Sequence, residues 1–129
     1  MPKALLIIGH GSKSQEAIAT FNKTVDHVRQ NAGYEIVSGA HMELAAPCIE
    51  ESVDVMADNG INEIIMIPYF LYSGIHIKHD IPEIIEELKQ KYPQINFKFG
   101  NPIGFEPVIA DILIRRAKEA EALQERKPW

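Results

Sequence analysis

A chain of 129 residues with 46% hydrophobic content has the length and apolar share of one domain around one core, and residues 1–129 are read as that single domain. Against 18 acidic residues stand 13 basic ones, a formal net charge of −5, so there is no broad positive field for phosphate backbones and nucleic acid is not expected as a partner. Cys48 is the lone cysteine, which excludes an intramolecular disulfide framework and a four-cysteine zinc site, and no apolar run nears the roughly 20 residues that span a bilayer.

In chain order, Ala4-Leu5-Leu6-Ile7-Ile8 is a continuous apolar run of the kind expected for a strand covered on both faces. It is too short for a signal-peptide core and leads into glycines and polar residues, so a cytoplasmic protein without a membrane partner is expected. Ile18, Phe21, Val25 and Val28 then recur at helical spacing. Tyr34 to Met42 mixes Ile36 and Val37 with Glu35 and Ser38, as an edge strand does. A second helix rests on Ile49, Val53 and Met56 and stops at Asn59-Gly60. Ile64-Ile65-Met66-Ile67 is a second central strand. Ile81, Ile84, Ile85 and Leu88 predict a third helix that starts on an Asp80/Glu83 capping box, has Pro82 in its first turn and stops at Tyr92-Pro93. Ile95, Phe97 and Phe99 alternate with polar neighbours as a second edge strand. A fourth helix, on Val108, Ile109, Ile112 and Leu113, runs from about Pro107 to Leu123, and residues 118–129 form a charged helical tail expected to fray.

Strand and helix alternate four times, which calls for an α/β fold: a four-stranded parallel sheet with right-handed crossovers and helices on both faces. With the first and third strands central, the order is 2-1-3-4. Winding then reverses between those two strands, and ligands bind at the carboxyl ends beside such a switch point. The chemistry is therefore sought just after Ile8 and just after Ile67.

Both loops carry histidine. Gly9-His10-Gly11-Ser12-Lys13 follows the first strand, and the segment after Ile67 includes Ser73-Gly74-Ile75-His76-Ile77-Lys78-His79-Asp80. Flanking glycines let the backbone turn sharply and a large ligand approach, and a neutral imidazole is a good ligand for cobalt, nickel, iron or zinc. His10 and His76 are the candidate metal ligands. Glu43, just past the second strand, is either a further ligand or proton acceptor, or a surface carboxylate bonded to backbone. His79 is read as a surface residue, His27 as solvated helix face and Cys48 as a small buried residue, while His41 is left unassigned.

Four motifs in order, Gly9-His10-Gly11-Ser12, Glu43-Leu44-Ala45 through Pro47, Pro68-Tyr69-Phe70-Leu71 through Gly74-Ile75-His76, and Gly104-Phe105-Glu106-Pro107, cover most of the chain. On these the chain resembles the small form of the sirohydrochlorin cobaltochelatases, within the class II chelatases that also include iron and nickel enzymes. The resemblance implies a chelatase-like half domain whose two histidines bind the incoming metal at the mouth of a cleft. It also implies that so short a chain pairs as a homodimer to supply both walls. His79 stands where a lysine is common in that family, and the histidine-rich insertion of some archaeal members is absent.

The expected reaction inserts a divalent metal, cobalt first with nickel or iron as alternatives, into sirohydrochlorin or a related tetrapyrrole. His10 and His76 bind the metal, each also a candidate proton acceptor, and Glu43 is the reserve base or third ligand; the metal is a substrate, and no organic cofactor is required. Sirohydrochlorin is rich in carboxylates, so local attraction is assigned to helix N-termini with Ser12, Lys13, Ser73, Gly74 and Lys78, each lysine being otherwise plain surface charge. Two other readings stand beside this one: a non-catalytic metal carrier using the same histidines, and a hydrolase using the Gly-His-Gly-Ser loop. The hydrolase ranks below because neither a Gly-x-Ser-x-Gly elbow nor a Gly-x-x-x-x-Gly-Lys-Ser loop is present.

Overall fold

A computed structural model describes residues 2–72 and 74–123, and of Ile75 and His76 the backbone alone. Strands and helices alternate: β1 (Lys3–Gly9), α1 (Gln15–Asn31), β2 (Ile36–His41), α2 (Ile49–Asp58), β3 (Glu63–Pro68), α3 (Ile75–Lys91), β4 (Asn96–Phe99) and α4 (Pro107–Glu121). The strands form one parallel sheet in the order β2-β1-β3-β4, as the alternation of apolar runs predicts. Gly9 pairs with His41, and Ile8 with Pro68, so the three strands end together at one edge.

The continuous apolar run of β1 divides between two faces because successive side chains alternate. Ala4, Leu6 and Ile8 join Val53 and Met56 of α2 and Ile81, Ile85 and Leu88 of α3 in the larger core. Leu5 and Ile7 join Phe21 and Val25 of α1 and Val37 of β2 on the other side. Full burial of side chains such as Leu6, Ile8 and Ile64 stabilises by roughly 1.5–3 kcal/mol each. The Phe21 ring lies directly over Gly9 and Gly39, where any Cβ would collide with it.

The third helix departs from expectation. It begins at Ile75, with Gly74 at its N-cap, so Pro82 sits inside the helix and Asp80 and Glu83 do not form its capping box. The apolar stripe explains this: Ile77, Ile81, Ile85 and Leu88 are all buried, and starting at Asp80 would leave Ile77 outside it. An interior proline costs about 3 kcal/mol, and the burial of Ile77 offsets roughly 1.5–3 kcal/mol of that alongside the hydrogen bonds of the added turn. The first turn of α3 therefore absorbs His76 and Lys78, which the sequence pattern alone places in a loop.

No residue of α4 is buried, and Val108, Leu113 and Ile114 are exposed. On the α1 face of β3, Ile65 and Ile67 are only half-buried. Of the expected tail, residues 118–121 belong to α4, whereas 124–129 lie outside the described residues. No helix among the described residues is long and apolar enough to cross a membrane.

Candidate functional site

The switch point gathers the ends of β1, β2 and β3. His10 follows the last residue of β1, is exposed, and lays its ring against the buried Phe70, with centroids 4.3 Å apart. The chain leaving β2 is tied to this loop by backbone: the Met42 N–H donates to the Gly9 carbonyl at 3.0 Å and the Glu43 N–H to the His10 carbonyl at 3.2 Å. Gly11 makes the approach possible. Its φ is +95°, and a methyl there would sit on the Glu43 carbonyl oxygen, so only glycine fits. Beyond Glu43 the chain turns away at Leu44, whose φ of 67° is rare for a residue with a Cβ.

His10 and Glu43 line one cavity of about 240 Å³, whose opposite wall is Asp80, Glu83 and Glu87 of α3. The cavity thus sets one imidazole among four carboxylates, a donor set suited to a divalent cation. Position 76 lies on the α3 backbone one turn before Asp80, and its side chain lies outside the described residues. The three α3 carboxylates were not foreseen as site residues. Their signal was present as the helical spacing 80, 83, 87; what only the fold shows is that this face of the helix meets His10 and Glu43.

The other candidates divide. Ser12 accepts the Ser14 N–H at 3.0 Å, and Ser14 in turn caps α1 by accepting the Ala17 N–H at 3.3 Å. Lys13 is exposed beside them. Lys78 is not brought to the His10 cavity; it lines a separate, largely apolar cavity of about 220 Å³ with Phe70, Ile77 and Pro82. Ser73 lies outside the described residues, and Gly74 is the N-cap of α3. His79 is 73% exposed, with Nδ1 3.6 Å from Glu83 and 3.9 Å from Asp80, a surface ion group as expected. His27 is exposed on α1.

Two residues correct or extend the sequence reading. Cys48 is exposed, not buried, because it stands at the N-cap of α2, where its N–H donates to Glu51 Oε1 at 2.8 Å. That bond holds the Glu51 carboxyl below its ordinary range. His41, unassigned from sequence, is 3% exposed and its ring packs tilted against Phe21 with centroids 4.8 Å apart. Burial pushes its imidazole below the ordinary value, and its Nδ1 has no hydrogen-bond partner among the described residues.

Comparison with known proteins places this geometry. The family model described as CbiX matches residues 4–120. The chain belongs to the CbiX family. It is 33% identical to the sirohydrochlorin ferrochelatase of Priestia megaterium, over 90% of this chain and 44% of that protein. It is 31% identical to the sirohydrochlorin cobaltochelatase of Methanosarcina acetivorans, over 90% of this chain and 95% of that one. Among solved structures, the sirohydrochlorin chelatase SirB of Bacillus subtilis subspecies spizizenii in complex with cobalt superposes with a TM-score of 0.87 at 28% identity, covering 92% of this chain and 51% of that chain. This CbiX-family chain thus spans about half the length of some relatives and nearly all of others.

Proposed function

We propose that this chain inserts a divalent metal, cobalt first with iron or nickel as alternatives, into sirohydrochlorin or a related tetrapyrrole. One observation carries the reading: in a CbiX-family chain, His10 and Glu43 line the same carboxylate-walled cavity at the switch point. In this reading His10 and His76 hold the incoming ion, leaving coordination positions for the ring nitrogens. Insertion releases two pyrrole protons; Glu43, which lines the cavity with His10, accepts one and the carboxylates of the opposite wall the other, each passing it on to solvent. Asp80, Glu83 and Glu87 draw the cation to the cavity and offset the cost of stripping its water.

The chain acts as a single chelatase-like half domain and pairs with a second copy. Two observations support pairing: the chain spans 44% of the Priestia relative, and α4 leaves Val108, Leu113 and Ile114 uncovered while Ile65 and Ile67 of β3 are only half covered. The test is a spectroscopic insertion assay with metal-free sirohydrochlorin and cobalt, iron and nickel in turn. Multiple turnover with at least one metal is expected. Metal binding without any turnover would favour the carrier and sink the enzyme reading.

A further inference from the structure

His10 separates two cavities of opposite character. On one side lies the acid-walled cavity already described. On the other, a cavity of about 160 Å³ is lined by Ser12, Ala17, Phe21, His41 and Tyr69 together with the glycines flanking His10, and no carboxylate lines it. It opens at the first turn of α1, a 17-residue helix capped by Ser14, so its wall carries the positive end of a helix dipole.

A helix end alone recognises nothing in particular, but one of the residues lining this cavity, His41, also carries an unsatisfied polar atom. Side-chain alternation along β2 puts Val37 and His41 on the α1 face, and the His41 ring lies against Phe21, which lines the same cavity. His41 is 3% exposed, and its Nδ1 finds no partner among the described residues. A buried polar atom without a partner is costly, so a ligand that supplies one gains specificity. The space also fits a small arm. At about 30 Å³ per water-sized group it holds about five, and a carboxymethyl arm has four heavy atoms.

We propose that this cavity receives one carboxylate arm of the tetrapyrrole, with His41 donating to it from Nδ1 at the start of α1. The inference rests on the chelatase reading and deepens it: His10 then lies between a cation side and an anion side, so the anchored arm fixes the macrocycle over the metal. In a protein of net charge −5, a lining without carboxylates beside the metal cavity is where an anionic arm meets least repulsion.

The test has two parts on the full chain. First, long-range ¹⁵N–¹H spectra of the His41 ring are followed as acetate, and separately metal-free sirohydrochlorin, is added. Second, equilibrium binding of sirohydrochlorin and of its fully methyl-esterified form is compared for the parent, His41→Phe and His41→Gln. Both additions are expected to move the His41 Nδ1 resonance. His41→Phe should weaken binding of the free acid about tenfold while leaving the ester unchanged, and His41→Gln, which keeps an N–H donor, should recover most of the loss. A purely structural role would weaken acid and ester alike. Should His41→Phe fail to fold, the spectra of the parent still decide. Sirohydrochlorin that binds the parent yet leaves Nδ1 unmoved, or binds parent and variants equally, overturns the proposal. A parent that binds no sirohydrochlorin while acetate still moves Nδ1 would instead sink the chelatase reading, and the arm assignment with it, leaving only a small anion site.

Discussion

His10 owes its position to its neighbours more than to its own side chain. Its ring rests on Phe70 and its carbonyl holds Glu43, so replacing the imidazole should leave the loop standing. His10→Ala is expected to lower cobalt affinity by roughly 100-fold with an unchanged circular dichroism spectrum. Calorimetry at several pH values checks the ligand assignment further. Protons and metal compete for the same imidazole nitrogens, so affinity should fall on acidification with proton release on binding, and less steeply in His10→Ala or His76→Ala than in the parent. Release near zero at pH 6 would move the site to the carboxylates. Gly11→Ala tests the loop itself: with φ at +95° and the Glu43 carbonyl in the way, it should destabilise by roughly 1–3 kcal/mol and lose the metal site together.

At the scale of elements, α3 carries most of the tension between local preference and packing. Pro82 is exposed, so little packing is lost on replacing it, while its missing N–H leaves the Lys78 carbonyl without its usual helical donor. Pro82→Ala should therefore stabilise by about 1–3 kcal/mol in urea unfolding. Unchanged or lowered stability would mean that the proline ring contributes through the cavity it lines with Phe70 and Ile77. The far end of α3 is fastened to α2 through Asp54, which accepts from the Tyr92 hydroxyl and, at 3.0 Å, from Lys91 Nζ. The Tyr92 bond first, then Lys91, holds the Asp54 carboxyl below its ordinary value of 3.8. A carboxyl depressed in the folded state binds protons more readily when unfolded. Its contribution is thus full above about pH 4 and lost as pH falls through the lower folded value. Asp54→Asn should be less stable than the parent at pH 7, and the two should converge as the solution is acidified below pH 4, read by thermal melts across that range.

For the whole molecule, the open question is what covers α4. A helix with Val108, Leu113 and Ile114 in water, in a fold that also leaves Ile65 and Ile67 half covered, is an expensive arrangement for an isolated copy. Sedimentation of the parent at micromolar concentration should show a dimer. Leu113→Asp together with Val108→Asp should shift it to monomer and reduce insertion if the second copy supplies a wall of the cleft. A fully active monomeric parent would overturn the pairing.

Much of this was legible without coordinates. The two unbroken apolar runs at residues 4–8 and 64–67 have no polar face to show water, so they had to be central, and the alternating segments had to be edges; the order 2-1-3-4 and the position of His10 follow from that. Asn59-Gly60 and Tyr92-Pro93 marked helix ends correctly because their chemistry is local. What the sequence could not settle was decided by partners distant along the chain. The start of α3 looked like Asp80 because a capping box and a proline both pointed there, and only the burial of Ile77 against the sheet moved it to Ile75. Packing against the sheet also sets Asp80, Glu83 and Glu87 in the wall of the cavity that His10 lines. His41 looked ambiguous because its face depends on where β2 begins; once Gly9 pairs with His41, side-chain alternation turns it inward onto Phe21 and away from water. Local chemistry is written in neighbouring residues, whereas burial belongs to whatever the fold brings alongside.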